Sequence, residues 1–158
     1  MSDSWNTDLQ DNSLKSLPLD WSGHTREEKI EKQVNIIQYH TQMVSRGDFD
    51  ISKAQRISAL CLDAQMELSY CYADSELESK QAKHTVDFIE NEIASDIKNN
   101  SKIKMSETEL KRKATIDSRV KEAKASMIKI EKQYKKYRYL YEILKETHIF
   151  FRNIGKIS

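Results

Sequence analysis

Residues that turn a chain are scarce here: 158 positions hold 3 Gly and 1 Pro. A sheet protein of this length needs many tight connections rich in Gly, Asn and Pro, so a β or α/β fold is excluded. Long helices remain. Apolar residues make up only 38% and charged residues 32%, so burial must come from narrow helix seams, not a thick two-layer core. No run approaches the ~18 apolar residues of a membrane span, and no membrane partner is expected. The first twenty residues are acidic and polar, so no secretory signal is expected. Cysteine is limited to Cys61 and Cys71. Ten residues along one helix separate them by ~15 Å, beyond disulfide reach. Both are expected as small apolar fillers in a reducing compartment. The expected location is the cytoplasm, or the host cytoplasm if the chain is viral.

Reactive constellations are missing too. No Gly-rich phosphate loop, nucleophile elbow or paired metal motif is present. His24, His40, His84 and His148 are scattered. His84 with Asp87 three residues on lacks a third ligand and reads as a solvated helix histidine. No catalysis, metal or cofactor is expected.

What is present is helical punctuation and spacing. Residues 1–24 read as a flexible acidic tail whose apolar beads are Trp5, Leu17, Leu19 and Trp21. Residues 25–158 read as a single helical domain with helices at about 25–46, 52–98 and 106–154. "TREE" at Thr25 is a capping box, and "SKAQ" at Ser52 and "SETE" at Ser106 repeat its logic. Ile30, Val34, Ile37 and Val44 form the first stripe, and Gly47 ends it. The second helix carries Ile57, Leu60, Ala64, Leu68, Cys71, Ser75, Ala82, Val86, Ile89, Ile93 and Ile97 at steps of three and four. The third carries Ile116, Val120, Ala123, Met127, Ile130, Tyr134, Tyr137, Tyr141, Leu144, His148 and Phe151, a 3.5-residue repeat of coiled-coil type. The connection "NNSKIKM" is short, so the two long helices are each other's antiparallel partners. The expected fold is all-α: a long antiparallel helical hairpin with a shorter N-terminal helix.

The stretch "YKKYRYLYEILKETHIFFRNI", Tyr134 to Ile154, is dense in aromatic and basic residues. Most of its rings occupy seam positions, which predicts burial and not base stacking. A second stripe runs beside the seam from Leu140 through Ile143, Thr147, Phe150 and Ile154. With Leu144 and Phe151 it makes this end apolar on two sides. A helix with two apolar sides needs two partners: one is its hairpin mate, and the other is either the first helix with the tail or another subunit, of which homo-oligomerisation is the expectation.

The net charge of +1 hides a division. Residues 1–20 sum to −3, residues 21–101 to −5 and residues 102–158 to +9. Lys98, Lys102, Lys104, Lys111, Arg112 and Lys113 gather at the expected hairpin tip, and Arg119, Lys121 and Lys124 follow. One such patch holds a polyanion weakly, and several copies in an oligomer add their salt-sensitive phosphate contacts. Backbone contacts of this kind read no base sequence.

From about residue 75 to 157 the pattern resembles the UvsY-like recombination mediators of large tailed phages. The resemblance is carried by "SETELKRKATIDSRVKEAKASMIKIEKQYKKYRYLYEILKETHIFFRNI", with "ATIDSRV" after the tip and "HIFFRNIGKI" at the close. It implies a non-enzymatic helper of homologous recombination and DNA repair. Such a protein binds single-stranded DNA, helps load a RecA-like recombinase and displaces a single-strand-binding protein. It also implies a ring-shaped homo-oligomer built through the carboxy-terminal helix. One departure is plain. The family's helix entering the tip carries a basic element, whereas "FIENEIASDIKNNSKIK" is acidic at Glu90, Glu92 and Asp96 and turns basic only from Lys98. The DNA contacts are therefore expected at the tip and the start of the third helix: Lys98, Lys102, Lys104, Lys111, Arg112, Lys113 and Arg119. The alternative is a helical protein–protein adaptor or inhibitor, such as a virion component or an anti-host-defence factor. It has no nucleic-acid role and docks through the tail with Trp5 and Trp21.

Overall fold

The structure is a computed structural model and describes residues 20–48 and 50–156. Four helices follow one another: α1 (Arg26–Ser45), α2 (Ile51–Asn100), α3 (Glu107–Thr115) and α4 (Ser118–Gly155). The described residues contain no strand. None of their helices is long and apolar enough to cross a membrane. α2 and α4 pack as the long antiparallel pair the spacing predicts.

The caps explain the boundaries. The Thr25 hydroxyl accepts from the Glu28 N–H at 3.2 Å, and the Glu28 carboxylate accepts from the Thr25 N–H at 2.9 Å. That is the reciprocal box read from "TREE". Gly47 lies at φ +81° beyond the end of α1, a region open to Gly at little cost. α2 begins one turn-residue earlier than Ser52 suggests. The Asp50 carboxylate accepts from the Lys53 N–H at 2.7 Å and caps it. Ser106 caps α3 by accepting from the Glu109 N–H.

One expectation needs correction. The third helix is not continuous from 106 to 154. It breaks after Thr115, and α4 restarts at Ser118. Asp117 causes the restart, since its carboxylate accepts from the Arg119 N–H at 2.9 Å as a helix cap. Ile116, read as the first seam residue, sits in this break and is 62% exposed.

By contact the chain forms two compact units, residues up to Tyr70 with those from Tyr139, and Cys71–Arg138. In the first unit α1, the start of α2 and the end of α4 make a three-helix bundle. Ile30, Ile36 and Ile37 of α1 are buried with Ile57, Leu60, Cys61, Ala64 and Leu68 of α2 and Leu144 and Phe151 of α4. The Gln55 amide donates to the Gly155 carbonyl, and His148 Nδ1 lies 2.9 Å from the Ser58 carbonyl, which fixes the antiparallel register. Ion pairs tie α1 to the flank of α2. Arg26 meets Glu67 at 3.2 Å, and Lys29 reaches both Asp63 and Glu67. Burial works against the Lys29 charge, but those two carboxylates outweigh it and raise its pKa. The Arg26 guanidinium also lies over the Tyr70 ring at 4.7 Å. Trp21, the one tail bead among the described residues, is half-buried near Lys29 and His24. Trp5, Leu17 and Leu19 lie outside the described residues. Cys61 is buried, and burial pushes its thiol up to about 12.

In the second unit α3 docks on the end of α2 and the start of α4. Ala114 joins Ile93 and Val120 in a buried cluster edged by Ile89, Ala94 and Ile97. Leu110, one turn before Ala114, is buried as well. Further along, the seam is made of small side chains, with Ser75 and Ser79 buried. Tyr72 stacks on Tyr134 with centroids 5.6 Å apart, and the Lys124 ammonium donates to Glu90 at 2.8 Å. Tyr134 and Tyr137, expected to be buried, are only half-buried, because a two-helix layer covers one side of a ring and leaves the other open; Tyr141, in the first unit and also expected to be buried, is half-buried too.

Adjacent phenylalanines test the first unit. Phe151 is 1% exposed and Phe150 45%. Phe151→Ala is expected to cost ~3–5 kcal/mol and Phe150→Ala less than ~1 kcal/mol, read from urea melts followed at 222 nm. Equal losses from the two would contradict this packing.

Candidate nucleic-acid interface

The basic tip lies wholly in the second unit. Lys98 stands in the last turn of α2, Lys102 and Lys104 in the link, and Lys111, Arg112 and Lys113 on α3. Leu110 and Ala114 face inward, one turn apart, so helical spacing turns Lys111 and Arg112 outward. All six cations are exposed except Lys113, which is half-buried. Among the described residues none of the six makes an ion pair. Only Glu107 and Glu109 oppose them between residues 98 and 113, and both sit in the first turn of α3, where they complement the helix dipole. The link holds Ile103 exposed between Lys102 and Lys104, and the Ser101 hydroxyl bonds the Ile103 backbone on both its N–H and carbonyl.

Arg119 does not join this group. Its Nε and Nη2 donate to the two Asp117 oxygens at 3.2 and 3.3 Å. Asp117 raises the Arg119 pKa through that hydrogen bond and its charge, and Asp96 and Glu92 add to it. The same bond, with the Arg119 backbone N–H, holds the Asp117 carboxyl below its ordinary value. Lys124 is tied to Glu90. Beyond the break Arg119 and Lys124 are therefore engaged, by Asp117 and by Glu90 of α2, while the six cations before it make no ion pair among the described residues. No spacing signal separates the two sets; the Asp at the restart of a helix is the only hint.

The residues expected at an oligomer contact divide three ways in the first unit. Leu144 and Phe151 belong to the interior, so they are correctly read as seam and cannot also face a second copy. Leu140, Thr147 and Ile154 are half-buried. Ile143 and Phe150 are exposed at 38% and 45%. The same unit also exposes Leu62, Met66 and Tyr70 at steps of four on α2.

Among the described residues no group of three or more His, Cys, Asp or Glu side chains is placed to hold a metal ion. What the tip offers chemically is unpaired positive charge on a short, well-capped scaffold, suited to phosphate oxygens. No protein-family model, curated protein or solved structure is found to match the chain.

The Asp117 cap gives a pH test. Its folded pKa is lowered from the ordinary 3.8, so its stabilisation is fully present above that value. It is lost as pH falls through the depressed folded value. Asp117→Ala should melt below the parent chain at pH 7, and the difference should close in strong acid. A gap that persists unchanged at pH 2 would show the carboxylate is not the cause.

Proposed function

We propose that the chain is a non-enzymatic accessory protein of homologous recombination that holds single-stranded DNA with its basic tip. The observation that carries this reading is the set of six cations at Lys98–Lys113, exposed or half-exposed and without ion pairs among the described residues. An unpaired lysine has no intramolecular electrostatic bond to give up when it meets a phosphate, and it releases counterions from the nucleic acid when it does. Residues 98–113 contain no aromatic side chain, which favours backbone contact over base reading. The resemblance of residues 75–157 to the UvsY-like mediators supports the wider role: loading a RecA-like recombinase against a single-strand-binding protein, as a homo-oligomer. Exposed Ile143 and Phe150 support self-association at the carboxy-terminal end.

A second reading has its own observation. The exposed row Leu62, Met66 and Tyr70 suits a protein partner, as an adaptor without nucleic acid would require.

Fluorescence anisotropy with a labelled oligo-dT separates the two. Binding near micromolar protein that weakens steeply with salt is expected. Lys102→Glu with Lys104→Glu and Arg112→Glu should weaken it at least about tenfold and flatten the log–log salt slope by about 2, at roughly 0.7 per phosphate lost. Arg119→Ala, already committed to Asp117, should change affinity less than about twofold. Absence of salt-dependent binding would leave the adaptor reading in its place.

A further inference from the structure

The link between α2 and α3 exposes a large apolar side chain in the midst of the unpaired cations. Ile103 is 75% exposed, more than any other large hydrophobic among the described residues. Lys102 and Lys104 flank it and are exposed as well. The stretch is held at both ends. Ser101 before it and Met105 after it are half-buried, and the Ser106 hydroxyl caps the helix that follows by accepting from the Glu109 N–H. The Ser101 hydroxyl accepts from the Ile103 N–H at 3.2 Å and donates to the Ile103 carbonyl at 3.0 Å. Both backbone groups of Ile103 are thus tied to one neighbouring side chain, in a link without glycine. At that exposure Ile103 buries little apolar area within the chain, and solvated turns ordinarily use Gly, Asn, Asp, Ser or Pro at such a place.

We propose that Ile103 contacts exposed base faces and sets the preference of the basic tip for single-stranded over duplex nucleic acid. That assignment rests on the reading of the tip as a DNA site and names a residue which that reading does not use. Cations alone do not make this choice. Duplex DNA carries the denser charge, and its salt slope is about 0.9 per phosphate contact against about 0.7 for a single strand. Lysines and an arginine by themselves would therefore favour the duplex. A single strand offers what a duplex hides: base faces free to meet an apolar group beside the phosphates that hold the strand. An aliphatic side chain fixed between Lys102 and Lys104 is placed to meet such a face. In a duplex the same side chain must first part a base step, at the cost of stacking. Faces, unlike edges, carry no donor and acceptor code, so the contact selects the state of the strand without reading its sequence. A lipid surface also takes aliphatic groups among lysines, but its affinity scales with the apolar area buried, and a lone isoleucine supplies little.

The test is fluorescence anisotropy of the full chain with labelled oligo-dT and with the same strand annealed to oligo-dA, at equal salt. The parent chain is expected to bind oligo-dT more tightly than the duplex. Ile103→Ser, a change at an exposed position, should weaken oligo-dT binding about fivefold and duplex binding less than about twofold, with the oligo-dT salt slope unchanged. Ile103→Trp should tighten oligo-dT binding by about fivefold, since a larger face stacks on bases. Lys102→Glu/Lys104→Glu, in contrast, should weaken both and flatten both slopes. A parent chain that prefers the duplex, or an Ile103→Ser chain that loses equally on both or on neither, would overturn the role of Ile103 and leave the tip a DNA site. Absence of salt-dependent binding to either nucleic acid would overturn it together with the functional reading. Capture of the parent chain by phosphatidylserine vesicles, lost in Ile103→Ser while oligo-dT binding is not, would give the residue to a lipid surface.

Discussion

Everything in this fold depends on how much side-chain volume the seam of α2 supplies along its length. Near its start the seam is Ile57, Leu60, Ala64 and Leu68, all buried. These are large enough to form the floor on which a third helix rests, and α1 rests there. Farther on it passes through Ser75, Ser79 and Ala82 before Val86 and Ile93 restore bulk. Small residues let two helices approach closely, but they bury little apolar area, at roughly 25 cal/mol per Å². A pair built on Ser and Ala therefore keeps an open side, and its half-buried Ile89, Ile130 and Tyr134 mark where further burial remains to be gained.

The parts legible in the sequence were those governed by local rules. Thr25 and Glu28 announce a capping box, and Ser106 announces a cap, because the bonding groups are three residues apart in any context. The seam residues announce themselves through period, since every long helix must bury one stripe. What escaped was set by competition between neighbours. Asp50 and Ser52 both suit an N-cap, and the position that captured a backbone N–H was Asp50. The heptad frame runs through Ile116 without a fault, yet Asp117 takes the Arg119 N–H and ends the run there. A β-branched pair, Thr115 and Ile116, before an Asp is a weak signal that the periodic pattern overrides.

Charge was legible in amount and illegible in commitment. The sequence separates an acidic middle from a basic close, but pairing decides which cations a partner can use. Arg119 and Lys124 follow the tip in sequence, and both are engaged, by Asp117 and Glu90. The tip cations escape engagement because the nearest acids, Glu107 and Glu109, sit at the helix start they complement. Position on a helix end, more than proximity in sequence, separates the two groups.

This division bears on what the charge is for. Exposed ion pairs contribute only ~0–1 kcal/mol each, and the long helices use few of them. Lys80 with Glu76 and Lys135 with Glu131 are turns within single helices, whereas Lys124 with Glu90 joins α2 to α4. An acidic α2 beside a basic α4 is thus far more charge than the hairpin needs to hold itself together. Surplus charge of one sign at a tip suits a polyanion. Each added phosphate contact multiplies affinity where it only adds charge.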